Sequence, residues 1–185
     1  MERKCKVLVV GAGPGGYVAA IRAGQLGLDT VIVEGDRAGG TCLIRGCIPS
    51  KAVIHAATRF EELGAHAGEG EMGISLPDGP MLNMGELVAW KESIVDKLNT
   101  GVETLLKKAG VELVKGWATF RDGKTCDVET SEDNVTITAE HVILATGSRA
   151  TELPFMPFGG NIISSTEALE LGELPERLVV IGAGY

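Results

Sequence analysis

The sequence predicts an α/β fold in which a parallel sheet of Rossmann type carries an antiparallel β-meander. Three observations predict it. A β-branched run, KVLVV at 6–10, ends in glycines. An alanine-rich helical stretch and a second apolar strand, TVIVEGD at 30–36, follow at once. From about residue 111 the texture changes to short β-rich runs separated by turn residues. Apolar runs without alternation suit strands buried on both faces, and a strand, helix, strand unit of about thirty residues is expected to cross over right-handed.

At 185 residues and 44% hydrophobic content, the chain can build one well-packed domain and the start of a second. The net charge of -8, with 17 scattered basic residues, argues against a nucleic-acid or anionic-membrane surface. A small anionic cofactor stays compatible with it. Four cysteines, at 5, 42, 47 and 126, fall short of a disulfide scaffold, so a disulfide here reads as catalytic rather than structural. The opening MERKCKVLVVGAGPGG is broken by Gly and Pro too soon for a signal peptide, and no run approaches the roughly 20 apolar residues of a spanning helix. The default location is cytoplasmic.

In the first unit, Ala19, Ala20, Ile21, Ala23 and Leu26 give the helix a small packing face, and Gly27 is placed to end it. KAVIHAATRFEELGA, 51–65, reads as a helix of about four turns, and the Gly- and Pro-rich stretch at 67–83 as an irregular excursion. From 85 to 108 the residues Leu87, Trp90, Ile94, Leu98, Val102, Leu105 and Leu106 recur at helical spacing, with Asn83 available as a cap. VELVKG, WATFRD, TCDVETS and NVTITAE are expected to form an antiparallel meander feeding a final core strand at 141–145. TELPFMPFGG is a loop, and RLVVIGAGY a closing strand that runs into Gly182 and Gly184. The expected divisions are a main domain at 1–150, a connecting segment at 151–176, and at 177–185 the first strand and turn of a second dinucleotide-binding domain.

Gly11, Gly13 and Gly16 fit GxGxxG between a strand and a helix. The first glycine permits the sharp turn, the second lets a pyrophosphate approach the backbone, and the third lets helix and strand pack closely. The phosphates would sit at the helix N-terminus. Glu34, at the end of the second strand, is placed to accept hydrogen bonds from ribose hydroxyls and would repel a 2'-phosphate. The unit reads as a site for an unphosphorylated adenine dinucleotide, FAD or NAD.

GGTCLIRGCIPSK, 39–51, holds Cys42 and Cys47. A structural zinc site needs four ligands, whereas His55, His66 and His141 are isolated and Cys5 and Cys126 sit in separate strand-like runs, so no metal is expected. In a regular helix, i and i+5 Cα atoms lie roughly 8 to 9 Å apart, beyond the about 4.4 to 6.8 Å of a disulfide. The segment must bend, and Gly46 can help it. Helix onset at about Ile48-Pro49 puts Cys47 at an N-terminus, where a thiolate is stabilised, with Lys51 one turn on. This arrangement favours a redox pair over an inert staple.

GAGPGG, the strand-end Glu34, GGTCLIRGCIPSK, ATGS at 145–148 and the closing VVIGAGY resemble, in that order, the flavoprotein disulfide reductases. Within them IPSK, with the long helix leading into VELVKG, is most similar to the dihydrolipoamide dehydrogenase branch. The resemblance spans essentially the whole chain. It implies an FAD-binding domain in which Gly11, Gly13, Gly16 and Glu34 hold the adenosine diphosphate part, and Thr41 and Lys51 lie at the flavin end. It further implies that Gly116 contacts adenine, that Thr146 and Gly147 help close the site, and that Gly182 and Gly184 open an NAD site.

Cys42 would then be the thiol that exchanges with dihydrolipoamide carried on a lipoyl domain of a 2-oxoacid dehydrogenase complex, and Cys47 the thiol nearest the flavin. Electrons would pass to NAD. A homodimer, and a longer polypeptide with an interface domain bearing a His-Glu pair, are implied as well, so this chain is expected to be a partial enzyme. A glutathione- or mercuric-reductase-like specificity, or a non-catalytic FAD-binding module, are the alternative readings. Ile44 and Arg45 stand where the family motif usually has Asn-Val.

Overall fold

A computed structural model describes residues 1–65 and 75–182. Part of the expected excursion at 67–83, His66 and Gly184 lie outside the described residues. Four strands run parallel in the order β3 (Glu112–Lys115), β2 (Thr30–Glu34), β1 (Glu2–Val10), β6 (Val135–Leu144). The sheet continues antiparallel from β6 to β5 (Thr125–Glu129) and β4 (Trp117–Phe120).

Two corrections to the expected β layout follow. VELVKG is not part of the meander: β3 extends the parallel ladder, Glu34 opposite Lys115. NVTITAE and HVILATG form one strand, because β6 pairs with β5 through its first half and with β1 along its length. A ten-residue strand can serve both ladders since a central strand has two free edges.

The sheet is sealed on both faces, as its apolar strands require. On one side Val7, Val9 and Ile32 pack against Ala20 and Ala23 of α1 (Pro14–Gln25) and against Val95, Val102 and Leu106 of α4 (Met84–Lys108). On the other, Leu8, Val10, Val31 and Val33 meet Cys126, Val128 and Ile137 of the meander. Neighbouring residues of β1 and β2 thus point into opposite layers, as period-two geometry dictates. Gly24 lets α1 and the end of α4 touch: a Cβ there would lie 2.2 Å from the Ala109 carbonyl oxygen.

Asn83 caps α4 as expected, its side chain accepting from the Glu86 amide. The buried stripe of α4 is Leu87, Lys91, Val95, Val102 and Leu106, whereas Trp90, Leu98 and Leu105 stay exposed. The cysteine segment forms two helices, α2 (Gly40–Arg45) and α3 (Cys47–Gly64), so helix onset is at Cys47 rather than at Ile48-Pro49. A short helix α5 (Ser165–Ala168) carries a complete capping box from Ser164 and Glu167. The closing strand is not formed. Leu178, Val179, Val180 and Ile181 lie outside the sheet and are exposed, because among the described residues no strand offers them a ladder.

Candidate active site

Because β3, β2, β1 and β6 are parallel, their carboxyl ends share one edge. Gly11 follows β1, Glu34 ends β2, Gly116 follows β3, and Thr146 and Gly147 follow β6. Ligands of open α/β sheets bind in the crevice outside these ends.

The turn after β1 is shaped by close backbone approach. Gly11 adopts φ +98, and a Cβ there would lie 2.2 Å from the Ala145 carbonyl oxygen, so the turn abuts the exit of β6. Gly16 presses against Gly11, with 1.7 Å from a hypothetical Cβ to the Gly11 oxygen. At Gly13 the nearest atom would be Gly40 Cα at 3.7 Å, and at Gly15 nothing lies within 4 Å. The N-terminus of α1 therefore faces open space; Pro14 has no N–H and the Gly16 amide donates to the Gly13 carbonyl at 2.9 Å, which leaves the Gly15 amide without an intrahelical acceptor. Glycine at 40 brings α2 against this turn: its φ is +61, and a Cβ would fall 2.5 Å from Gly13 Cα.

Glu34 is half-buried and fixed. One carboxylate oxygen accepts from the Ala12 amide at 2.7 Å, the other from the Asp36 amide at 2.9 Å. Each oxygen keeps a lone pair, so ribose hydroxyls can still be accepted. The Gly116 amide donates to the Glu34 carbonyl at 2.9 Å, tying the exit of β3 to the same corner.

The cysteine pair sits at the break between α2 and α3. Gly46, at φ -139 and ψ -110, ends α2 and caps α3. A Cβ at this position would lie 2.8 Å from the Thr41 carbonyl oxygen and 3.5 Å from Cys42 Cα, so only glycine lets the chain fold back on residues 41 and 42. This is the bend the i, i+5 spacing demands. Both residues are free cysteines. The Cys47 side chain first, as a hydrogen-bonding neighbour, and partial burial second, hold the Cys42 thiol above its ordinary range, while the Cys47 amide and the Lys51 charge act in the opposite direction.

Cys42 is half-buried and Cys47 exposed. Cys42 lines an apolar cavity of about 300 Å³ with Tyr17, Leu43, Ile48, Leu98 and Val102. Thr41 and Lys51 are exposed beside the pair. Cys5 and Cys126 lie in the core, far from this role, and burial pushes the Cys5 thiol up to about 11. His55 stands 6.5 Å from Trp90, ring to ring. Among the described residues no three His, Cys, Asp or Glu side chains gather where they could hold a metal, and no helix is long and apolar enough to cross a membrane.

The crevice thus gathers Gly11, Gly13, Gly16, Glu34, Gly116, Thr146 and Gly147. Gly182 adopts φ +110 and, like Gly147, has nothing within 4 Å of a Cβ. Sequence reasoning passed over the amides of Ala12 and Asp36, and over Gly40, for which the adjacent glycines at 39 and 40 were the available signal.

Parallel strands with a glycine turn at their carboxyl edge and a Cys-x4-Cys pair beside it mark a dinucleotide-linked disulfide oxidoreductase. The family described as pyridine nucleotide-disulphide oxidoreductase matches residues 5–185, and the chain belongs to it.

The chain is 54% identical over 183 residues to the dihydrolipoyl dehydrogenase of Pseudomonas aeruginosa, covering 98% of this chain and 39% of that protein. Against the dihydrolipoyl dehydrogenase of Geobacillus stearothermophilus it is 51% identical over 180 residues, covering 97% and 37%. The chain therefore spans less than two fifths of the length of these curated relatives. Among solved structures, the Cu(II) complex of the HOCl-induced flavoprotein disulfide reductase RclA from Escherichia coli superposes with a TM-score of 0.74 at 23% identity, covering 94% of this chain and 36% of that one. This likeness is one of fold.

Proposed function

We propose that the chain supplies the FAD-binding crevice and the redox-active cysteine pair of an oxidoreductase that oxidises dihydrolipoamide with NAD. The observation that carries the reading is the placement of Cys42 and Cys47 on either side of the Gly46 break, with Cys42 opening on an apolar cavity. The likeness to dihydrolipoyl dehydrogenases supports the same substrate.

The residues present fit FAD. The Gly15 amide and the positive end of α1 suit a pyrophosphate, the open position at Gly13 leaves room for it, and the anchored Glu34 suits an unphosphorylated ribose. Thr41 and Lys51 would lie at the flavin end, with Gly116 at adenine and Thr146 and Gly147 at the mouth. When bound, FAD supplies a two-electron acceptor that connects the cysteine pair to NAD.

In the oxidised pair, one thiolate of the dithiol attacks Cys42 Sγ, forming a mixed disulfide and releasing the Cys47 thiolate. The second substrate thiolate then attacks the substrate sulfur of that mixed disulfide. The substrate closes to a cyclic disulfide and Cys42 leaves as thiolate. Two electrons and two protons pass from substrate to the pair. Lys51 lies close enough for its charge to be felt at Cys42 and stabilises the anionic sulfur. The apolar lining suits the alkyl arm of a lipoyl group better than a charged tripeptide. A lipoyl domain of a 2-oxoacid dehydrogenase complex is the inferred carrier, the homodimer the inferred assembly, and the cytoplasm the inferred location. Gly182 and Gly184 would begin the NAD site.

The test uses single cysteine variants challenged with an activated lipoyl disulfide. Cys47→Ser is expected to accumulate a mixed disulfide on Cys42, and Cys42→Ser to form none, by intact mass. A stable adduct on Cys47 instead, or failure of the chain to retain FAD, overturns the reading.

A further inference from the structure

We propose that the indole of Trp117 forms an aromatic wall of the crevice's adenosine end and stacks on the purine of a bound adenine nucleotide. The proposal rests on the dinucleotide reading and adds a residue to it.

The strand order sets out the ligand. Phosphate groups belong at the exit of β1, where α1 begins, and the ribose at the end of β2, where Glu34 is held. Continuing along the edge, the base falls beyond β2, on the side of β3 and its exit at Gly116. Trp117 is the next residue. The Gly116 amide, bonded to the Glu34 carbonyl, ties the start of β4 to the ribose corner even though β4 lies at the far end of the ladder.

The side chain is placed by a second glycine. A Cβ at Gly35 would lie 2.7 to 2.9 Å from indole atoms Cε2, Cδ2 and Cζ2 of Trp117. The ring therefore rests on the Gly35 backbone, one residue from Glu34, and no other residue type at 35 lets it lie there undisturbed. Despite that seat, Trp117 is 71% exposed. A tryptophan held against backbone beside a ribose-binding carboxylate, with most of its surface open, presents what a purine covers. Stacking on an aromatic side chain is tolerant of base identity, so the wall adds affinity for the nucleoside part and none for the phosphates.

The chain has two tryptophans, so Trp90→Phe leaves Trp117 as the sole indole reporter. Titration of that variant with ADP, which does not absorb the emission, is expected to change Trp117 fluorescence saturably. By calorimetry Trp117→Ala should bind ADP about tenfold more weakly and Trp117→Phe should recover most of the loss. Inorganic pyrophosphate should bind all three alike, which also reports that each is folded. Equal ADP affinity in Trp117→Ala and the unaltered chain, or ADP binding without a change in emission, overturns the wall while leaving the dinucleotide reading intact. No ADP binding by any of them overturns both.

Discussion

The Arg45 guanidinium is bonded to the Asp36 carboxylate, which joins the segment between the two cysteines to the loop that leaves Glu34. The same loop is held elsewhere: Arg37 reaches Glu92 at 2.7 Å and Asp96 at 2.5 Å on α4, the Asn99 amide donates to the Ala38 carbonyl at 2.6 Å, and the Gly39 amide donates to the Ala12 carbonyl at 2.7 Å. Ribose corner, glycine turn and redox helix are thereby fixed to one another. The side chains of Arg45 and Asp36 are 41% and 48% exposed, so solvent screens the pair and its worth is small. A double-mutant cycle of Asp36→Ala and Arg45→Ala, read by urea unfolding, is expected to give a coupling of about 0.2 to 1 kcal/mol. A coupling above about 2 kcal/mol contradicts a screened pair.

The cysteines should separate cleanly by reactivity. Cys5 and Cys126 are buried, and burial raises both thiols, so in the folded chain iodoacetamide should modify Cys42 and Cys47 alone. Thiolate is the reactive form, and the Cys47 side chain raises the Cys42 thiol. Replacing Cys47 by Ala removes the largest cause of that shift. The pH profile for alkylation of Cys42 should then move to lower pH, followed by peptide mass spectrometry. A profile that stays in place shows that the two sulfurs do not share a proton.

At the amino end of the sheet, Arg3 binds Asp29 at 2.6 Å and Glu112 at 2.9 Å, linking β1 to the start of β2 and to β3. The hydrogen bond from Arg3 holds the Asp29 carboxyl below its usual range. A carboxylate depressed on folding stabilises the protein above its unfolded pKa, and that contribution is lost as pH falls through the folded value. The thermal midpoint of the unaltered chain should exceed that of Asp29→Asn at pH 6, and the gap should close as pH drops below about 4. The gap will be modest, since Asp29 is about half exposed. A gap that is constant down to pH 3 means the ion pair contributes nothing to acid sensitivity.

Local signals with a single physical cause were legible in the sequence. Unbroken apolar runs gave β1 and β2, Asn83 marked the start of α4, and the i, i+5 spacing of Cys42 and Cys47 required the bend found at Gly46. Signals that depend on neighbours were not. In α4 two apolar stripes compete, and packing against α1 and β1 buries the one through Leu87, Val95, Val102 and Leu106. That choice carries Lys91 inside, its ammonium 3.6 Å from Glu92, and leaves Trp90, Leu98 and Leu105 out. VELVKG has the texture of a meander strand, and only its register against β2 makes it parallel. LVVI, 178–181, has ample strand propensity but lacks a ladder among the described residues. Within the site, the glycines and Glu34 were visible as types, whereas the amides that orient Glu34 were not, because every residue has one.

The glycine turn allows folding and binding to be tested apart. At Gly13 the φ of -73 is open to any residue, and an added Cβ makes only an ordinary contact with Gly40 Cα at 3.7 Å. Gly13→Ala should therefore change unfolding free energy by less than about 1 kcal/mol, yet it places a methyl group where the pyrophosphate must approach the backbone. At Gly16 the added Cβ falls 1.7 Å from the Gly11 carbonyl oxygen and 3.3 Å from Ala145 Cβ. Relief there requires the turn to move away from β6, at a cost of about 1 to 3 kcal/mol. Urea unfolding and ADP calorimetry on both variants should show Gly13→Ala stable but with ADP affinity reduced at least about tenfold, and Gly16→Ala destabilised before any ligand is added. If Gly13→Ala binds ADP as well as the unaltered chain, the phosphates do not sit at the start of α1.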